Sequence, residues 1–470
     1  MLRRIKFCLL GSVGILVLAC SLGCPQPTPP VAHPQAGPVT ESVEKQSVDK
    51  PSADQPKAEA PAETVAPDDP EVVKALKEGR HKLKQDEHGN VTEATLVQLG
   101  NAEQTVAAME LVAKLPSLVR LKAGGPDVTN AALEKIATHK KLRVLDLEQA
   151  KVDDDGMKHL VALPLVEINL KLTDVRDDGV GHLAKIKTLK QLKLIKTKVT
   201  NAGIAHVKDM PQLEGLDLQD VVTCDNACLN DVKQLKKLRL LRIYSPTFGE
   251  EGLAPLAELT TLRTLSMHQT TLSDKTLPYL AGLVNLEKLY LYGTLVTDQG
   301  MAKLKGLSKL RELDLRATTC GPDMEYLASF PELRLLDLSE SKADDTSLKH
   351  IVKLKKLEDL NLWHTAVTDN GVALLAQMPQ LKSLNLDDDK QVTDASMDTV
   401  GKLTNLEFLH LGGTNVTDAG LAKLHNLKNL KQATPDEPAL VIKFLSVSDE
   451  SIEALKEAIP ALQGFGALQR

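Results

Sequence analysis

The sequence predicts an α/β repeat fold, a solenoid in which every turn of the chain contributes a short strand, a turn and a short helix. Three observations carry this expectation. Leucines recur in the spacing Leu-x-x-Leu-x-Leu, and the first leucine or its equivalent falls at 118, 142, 165, 189, 213, 238, 262, 286, 310, 333, 357, 381, 406 and 430, thirteen steps of 23, 24 or 25 residues. A second motif follows the first at fixed distance, as in Thr294-x-Val296-Thr297-Asp298-x-Gly300-Met301 and Thr414-x-Val416-Thr417-Asp418-x-Gly420-Leu421. Aromatic residues make up only 3% of the chain, so its core must be mostly aliphatic. A chain of 470 residues would ordinarily divide into several globular domains. A repeat array escapes that division, because each unit packs only on its neighbours.

The first 24 residues stand outside the fold. Arg3, Arg4 and Lys6 precede an apolar stretch from Phe7 to Ala19. That stretch is shorter than the roughly 20 residues a membrane-spanning helix needs. It runs into Val-Leu-Ala-Cys20 and then Ser-Leu-Gly-Cys24, which resemble the lipobox of bacterial lipoproteins. The resemblance implies lipidation at Cys20 or Cys24, export, and a membrane attachment made by lipid alone. The other reading is an ordinary cleaved signal peptide. Residues 25–69 are rich in Pro, Ala, Glu, Gln and Ser, with almost no large apolar side chains. Such a segment buries too little surface to offset its ordering entropy and is expected to be an extended, disordered linker.

Residues 70–117 read as an N-terminal cap and a first irregular repeat. Pro70, after Asp68 and Asp69, suits the first turn of a capping helix expected to run to Lys84. Gly89-Asn90 turns the chain into a strand over 91–96. Regular repeats occupy 118–434. In each, the Thr-Asp pair is a helix start, its short oxygen accepting orphan backbone N–H groups and its carboxylate suiting the positive end of the dipole. Apolar residues then follow at i, i+3 and i+6, as in Leu421, Leu424 and Leu427, marking one face of a helix of two to three turns. Pro435 to Pro438 interrupts the register. The pattern resumes at Leu440-Val441-Ile442 and closes over 435–470 with an irregular last repeat and a capping helix from Ser448 to about Ala458.

The unit resembles the leucine-rich repeat in the form LxxLxLxxTxVTDxGLxxLxxLxx. It is similar to repeats of bacterial leucine-rich-repeat proteins and of F-box/leucine-rich-repeat receptors, without any F-box segment. The resemblance covers about residues 90–462. It implies a solenoid of about 14–15 repeats, with a curved parallel sheet on the concave side and helices on the convex side. Curvature has a simple cause: strands stack about 4.8 Å apart, whereas a helix with its side chains is about 10 Å wide. The chain departs from the commonest leucine-rich repeat by placing Thr197, Thr270, Thr294, Thr318, Thr365 and Thr414 in the slot of the asparagine ladder. Their hydroxyls are expected to satisfy backbone groups in the turn.

Composition and motifs narrow the function. The net charge of −6 and pI near 6.1 speak against nucleic acid. No phosphate-binding glycine motif is present; Gly156, Gly179, Gly203, Gly252, Gly300, Gly371 and Gly420 share one slot at the helix start, which reads as a steric requirement. Cys224, Cys228 and Cys320 fall at inward slots and are expected to pack in the core, with a Cys224–Cys228 disulfide as the alternative. The runs Asp153-Asp154-Asp155 and Asp387-Asp388-Asp389 invite calcium, but the first sits where helix caps belong. Twelve histidines are scattered over different repeats, and no catalytic constellation, metal site or cofactor is expected.

The third, fifth and seventh residues of each Leu-x-x-Leu-x-Leu-x run face the concave side. There the chain places Arg242, Tyr244, His268, Lys288, Tyr290, Tyr292, Arg316, Trp363, Phe408 and His410. This set includes the single Trp and three of the five Tyr, and Tyr, Trp and Arg dominate binding hot spots. Aspartate and asparagine at the fifth position read as a polar lining. The function expected is a non-enzymatic scaffold of the bacterial cell envelope, monomeric, holding a protein or peptide on these residues. A structural or adhesive envelope protein is the alternative, and a hydrolase or glycan-processing enzyme a remote one.

Overall fold

The computed structural model describes residues 67–470 except 98–99, 246, 433–437, 464–467 and 470. Residues 1–24, read above as a signal segment, most of residues 25–69, read as a linker, and Pro435 lie outside the described residues. Among those described, seventeen strands form one sheet in chain order; each pairs with the next. Only the first pair, Lys82–Gln85 with Val91–Thr95, is antiparallel. All later neighbours are parallel and in register one repeat apart, for example Lys288↔Glu312, Leu289↔Leu313 and Tyr290↔Asp314. Most strands are three residues long, and the middle residue, such as Leu289, is fully buried. Leucines of each rung stack on those of the next, so one continuous core runs from Val72 to Leu462 between sheet and helices.

The capping helix begins at Pro70, where Asp69 accepts the Glu71 amide at 2.9 Å, but it ends at Glu78 rather than Lys84. Gly79 and a left-handed Arg80 (φ 57°) stop it. Residues 82–85 instead form the antiparallel strand that covers the otherwise open edge of Val91–Thr95. At the other end, helix Asp449–Ala458 is capped by Ser448, which accepts from Ser451 N at 3.2 Å.

The repeat helices run to about two turns, and much of that length is 3-10 rather than α. Asp418–Leu421 is α-helical and Ala422–Leu424 continues as 3-10 helix; Met324–Ser329 is 3-10 throughout. The physical reason lies in the spacing itself. Apolar residues at i, i+3 and i+6 keep one face only at three residues per turn, the 3-10 period.

Two recurrent devices fix the rungs. In the first, the eighth residue of most units takes positive φ: Gln149 (63°), Lys196 (53°), Ala317 (49°), Glu340 (56°) and His364 (54°), with Gly293 and Gly413 in the same place. It is the third residue of a tight turn, a site that needs φ > 0. Where the next residue is threonine, its amide and hydroxyl reach back to one carbonyl: Thr197 N to Leu194 O at 3.2 Å and Thr197 Oγ1 to the same oxygen at 2.7 Å. Thr270, Thr294, Thr318 and Thr414 use their hydroxyls in the same way. Thr365 does not: its amide (2.7 Å) and hydroxyl (3.1 Å) go forward to Asp389, which fills the threonine slot of the following repeat.

The second device is the Thr-Asp pair. The threonine caps its own helix, as Thr297 Oγ1 does for Gln299 N at 3.2 Å. The aspartate, beyond suiting the dipole, joins repeats. Asp274 accepts Thr297 N (2.8 Å) and Thr297 Oγ1 (2.6 Å) from the next unit. Asp345 does the same for Thr368, Asp369 for Thr393 and Asp394 for Thr417, all at 2.6–2.8 Å. This explains the shared glycine slot. A Cβ on Gly300 would lie 2.0 Å from Asp274 Oδ1, and one on Gly371 2.2 Å from Asp345 Oδ1. Where the slot holds Ser396 instead, its hydroxyl donates to Asp369 Oδ1.

Candidate binding face of the sheet

Strand alternation sends the third, fifth and seventh positions of each unit to the open sheet face, and the ten sequence-predicted ligand residues lie there, half-buried. The face is not uniform. Its N-terminal part is neutralised by cross-strand ion pairs, Lys122–Asp146 (3.0 Å), Lys171–Glu148 (3.0 Å) and Lys193–Glu167 (2.8 Å). A shallow cavity of about 170 Å³ lies there. Its lining includes Arg120, Lys122, Asp146 and Lys193, with no aromatic side chain.

The middle of the face differs. Seventh-position side chains stand in a row one strand apart. The Tyr244 and His268 rings meet edge-on at 5.9 Å, His268 and Tyr292 at 6.3 Å. The Arg316 guanidinium then lies 4.9 Å from the Tyr292 ring and 5.0 Å from Trp363. Arg316 reaches across the intervening repeat because that repeat offers only Ser339, which is fully buried. Its Nε and one terminal nitrogen bond Glu340 Oε1 at 2.8 and 2.6 Å, fixing the plane between the two rings. Gln269 ties the other end, accepting from the Tyr244 hydroxyl and donating to the Tyr292 hydroxyl at 3.2 Å. The row is held in place before anything binds.

Lys288 and Tyr290 stand beside the row and share one partner. Glu312 accepts Lys288 Nζ at 2.8 Å and the Tyr290 hydroxyl at 2.5 Å. Burial and this carboxylate raise the Tyr290 phenol above its ordinary range. Arg242 contacts Asp217 at 3.4 Å; burial pushes that aspartate up to about 6. Phe408 and His410 form a separate pair (6.3 Å) two strands beyond Trp363, where His410 Nδ1 meets Asn385 Oδ1 at 3.0 Å. The structure therefore assembles Tyr244, His268, Tyr292, Arg316 and Trp363 into one row, and sets Phe408 and His410 apart. Sequence reasoning missed Gln269, Glu312 and Glu340, which orient the row; the spacing of 24 residues in Lys288/Glu312 and Arg316/Glu340 was the available signal.

Other candidate chemistry resolves into structure. Ser266 Oγ lies 2.9 Å from His268 Nε2, but Ser266 is only 1% exposed and burial lowers the imidazole to about 4, so it stays neutral at pH 7. Cys224, Cys228 and Cys320 are free and buried. Asp153 caps its helix through Asp155 N, while Asp154 accepts Arg176 N at 2.7 Å. Asp387, Asp388 and Asp389 diverge: Asp387 lies on the sheet face, Asp388 pairs with His364 at 2.8 Å, and Asp389 is buried in the turn.

Comparison with known proteins bears on the fold. A family model described as Leucine Rich repeat matches residues 402–424, one repeat in length. An internalin (inlF) of Listeria monocytogenes superposes with a TM-score of 0.52 at 20% identity, covering 77% of this chain and 92% of its own. The fold is a leucine-rich-repeat solenoid. Two further leucine-rich-repeat structures match more loosely. One is a protein of Leptospira interrogans (TM-score 0.47, 19% identity, 75% of this chain and 90% of that one). The other is the ectodomain of the Arabidopsis receptor kinase HAESA in complex with a peptide hormone ligand (0.47, 15%, 82% and 75%). A search of curated proteins found no match. A leucine-rich-repeat fold is a scaffold common among protein-binding proteins, and the chemistry of this chain's own sheet face must say more.

Proposed function

We propose that the chain is a non-enzymatic scaffold that holds an extended peptide or a protein segment on the open sheet face. The observation that carries this reading is the row Tyr244–His268–Tyr292–Arg316–Trp363. Large amphipathic side chains, already oriented by Glu340 and Gln269, offer contact area at little entropic cost. The peptide in the HAESA structure belongs to that receptor. For this chain the support is the surface itself. The leader and linker of the sequence further support an exported protein attached to the cell envelope by lipid at Cys20 or Cys24. Among the described residues no helix is long and apolar enough to cross a membrane.

The test is affinity capture with the full chain, comparing wild type, Tyr292→Ala/Trp363→Ala and the helix-side control Lys303→Ala. The partner recovered by wild type and control should be lost from the double variant, which removes two rings that flank Arg316. Equal recovery by all three would remove the row from the account.

A further inference from the structure

Next to the aromatic row the sheet face turns acidic. In-register pairing sets Tyr290, Asp314, Asp337 and Asn361 side by side on four successive strands. Two residues earlier on the same strands stand Lys288, Glu312, Leu335 and Asp359. With Glu340 at the rim, five carboxyl groups on these strands face two cations, Lys288 and Arg316, both already paired; a third cation, Arg242, approaches Tyr290 from the other side and is itself paired with Asp217. The carboxylates are not equally engaged. Glu312 is taken by Lys288 and Tyr290. Asp337 accepts Ser339 N (2.9 Å) and Asn361 Nδ2 (2.9 Å). Asp314, 6% exposed, accepts only Arg316 N, at 2.9 Å through Oδ1; among the described residues its Oδ2 accepts nothing. Asp359 has no ion pair among the described residues and is held by the Ser383 side chain.

Resting on the peptide-binding reading above, we propose that the ligand is a basic peptide, one whose Lys or Arg side chain enters beside Tyr290 and meets Asp314, Asp337 and Asp359. The argument is charge complementarity. Largely buried carboxylates crowded on adjacent strands are short of counter-charge, and an incoming cation supplies it. Aromatic neighbours add cation–π attraction, and the same strip already treats Arg316 in this way, between two rings and against a carboxylate. An acidic segment would be repelled from this patch. Burial raises Asp314, Asp337 and, to about 6, Asp359. The groups facing Asp314 are Tyr290, Glu312, Arg316 and Asp337, with Lys288 and Asp359 adjoining, so binding of a basic peptide weakens as the pH falls and the patch becomes neutral.

The experiment is selection from a display library of random linear dodecapeptides against the full chain. The peptides recovered should be enriched in Lys and Arg. Replacing the basic residue by Gln should cost at least tenfold in affinity, and Asp314→Asn/Asp337→Asn in the protein should cost as much. Asp359→Asn serves as a second variant should the double one fail to fold. Peptides that depend on Tyr292 and Trp363 yet show no basic enrichment, or that bind the Asn variants unchanged, overturn the basic-ligand inference and leave the sheet-face reading standing. Recovery of no peptide overturns both.

Discussion

Ala317, Glu340 and His364 occupy left-handed backbone at the eighth residue of their repeats, where only glycine is free of steric cost. That cost is about 1–2 kcal/mol per residue, partly offset in a glycine variant by about 0.5–1 kcal/mol of lost chain entropy. Ala317→Gly should therefore stabilise the protein by about 0.5 kcal/mol, and Ala317→Val should destabilise it by 1 kcal/mol or more in urea titrations. Asp389 is the other residue out of place. It stands in the threonine column, 1% exposed, with Oδ2 buried and unbonded, and burial pushes its carboxyl up to about 8. An unfolded aspartate titrates near 3.9. The folded chain thus holds the extra proton between about pH 4 and pH 8, and stability declines as pH rises through that window. His268 and His410, both held to about 4 by burial, have the opposite sign: their contribution is lost as pH falls from about 6.5 toward 4. Asp389→Asn should keep the Thr365 bonds, flatten the decline of Tm between pH 5 and 8, and leave the acid limb unchanged. An unaltered profile would contradict this assignment. None of these residues could be singled out from sequence. Positive φ has no marker when ten different residue types adopt it, and Asp389 looked like one member of an acidic run.

At the scale of the element, the Thr-Asp-x-Gly motif was legible as a helix start, but its main work is between repeats. A local reading of Asp298 or Asp345 as an N-cap neighbour sees the dipole; it cannot see that the carboxylate accepts from the next unit, Asp345 from Thr368 and Asp298 from the Gly321 and Asp323 amides. The glycine slot was correctly taken as steric, while the atom responsible, a carboxylate oxygen from the preceding repeat, needed coordinates. This gives a double-mutant prediction. Gly300→Ala drives Cβ into Asp274 Oδ1 and should cost about 1–3 kcal/mol. With Asp274→Ala already present, the same change should cost much less, a coupling of at least about 0.5 kcal/mol. Strict additivity would show that the aspartate is not what excludes a side chain there. The helices were legible in place and length but not in type: a three-residue apolar spacing read as one face of a short helix also fits the tighter 3-10 turn of Ala422–Leu424.

At the scale of the whole repeat array, period and register were open to reading from Leu118 onward, because a leucine column buried on both sides tolerates few substitutes. The first and last units were harder, since a cap answers to the edge it covers; strand Lys82–Gln85 pairs antiparallel with no periodic signal. The site was half legible. Alternation identified which side chains share the open face, but not that Ser339 lets Arg316 lean from Tyr292 to Trp363. If rungs are joined only to neighbours, removing one whole unit away from the row, residues 142–164, should leave a cooperatively folding protein with a proportionately smaller urea m-value and unchanged ligand affinity. Removing half a unit, 142–153, should abolish cooperative unfolding.

The central claim is that this sheet face, at the aromatic row, is where the ligand lies. Photo-crosslinking tests it most directly: a selected peptide carrying benzoylphenylalanine is bound to the full chain, irradiated, and its adducts mapped by mass spectrometry. Adducts on Tyr290, Tyr292, Arg316 and Trp363 are the predicted result. Adducts confined to the helical side, or to the ion-paired strands around Lys122 and Lys193, would contradict it.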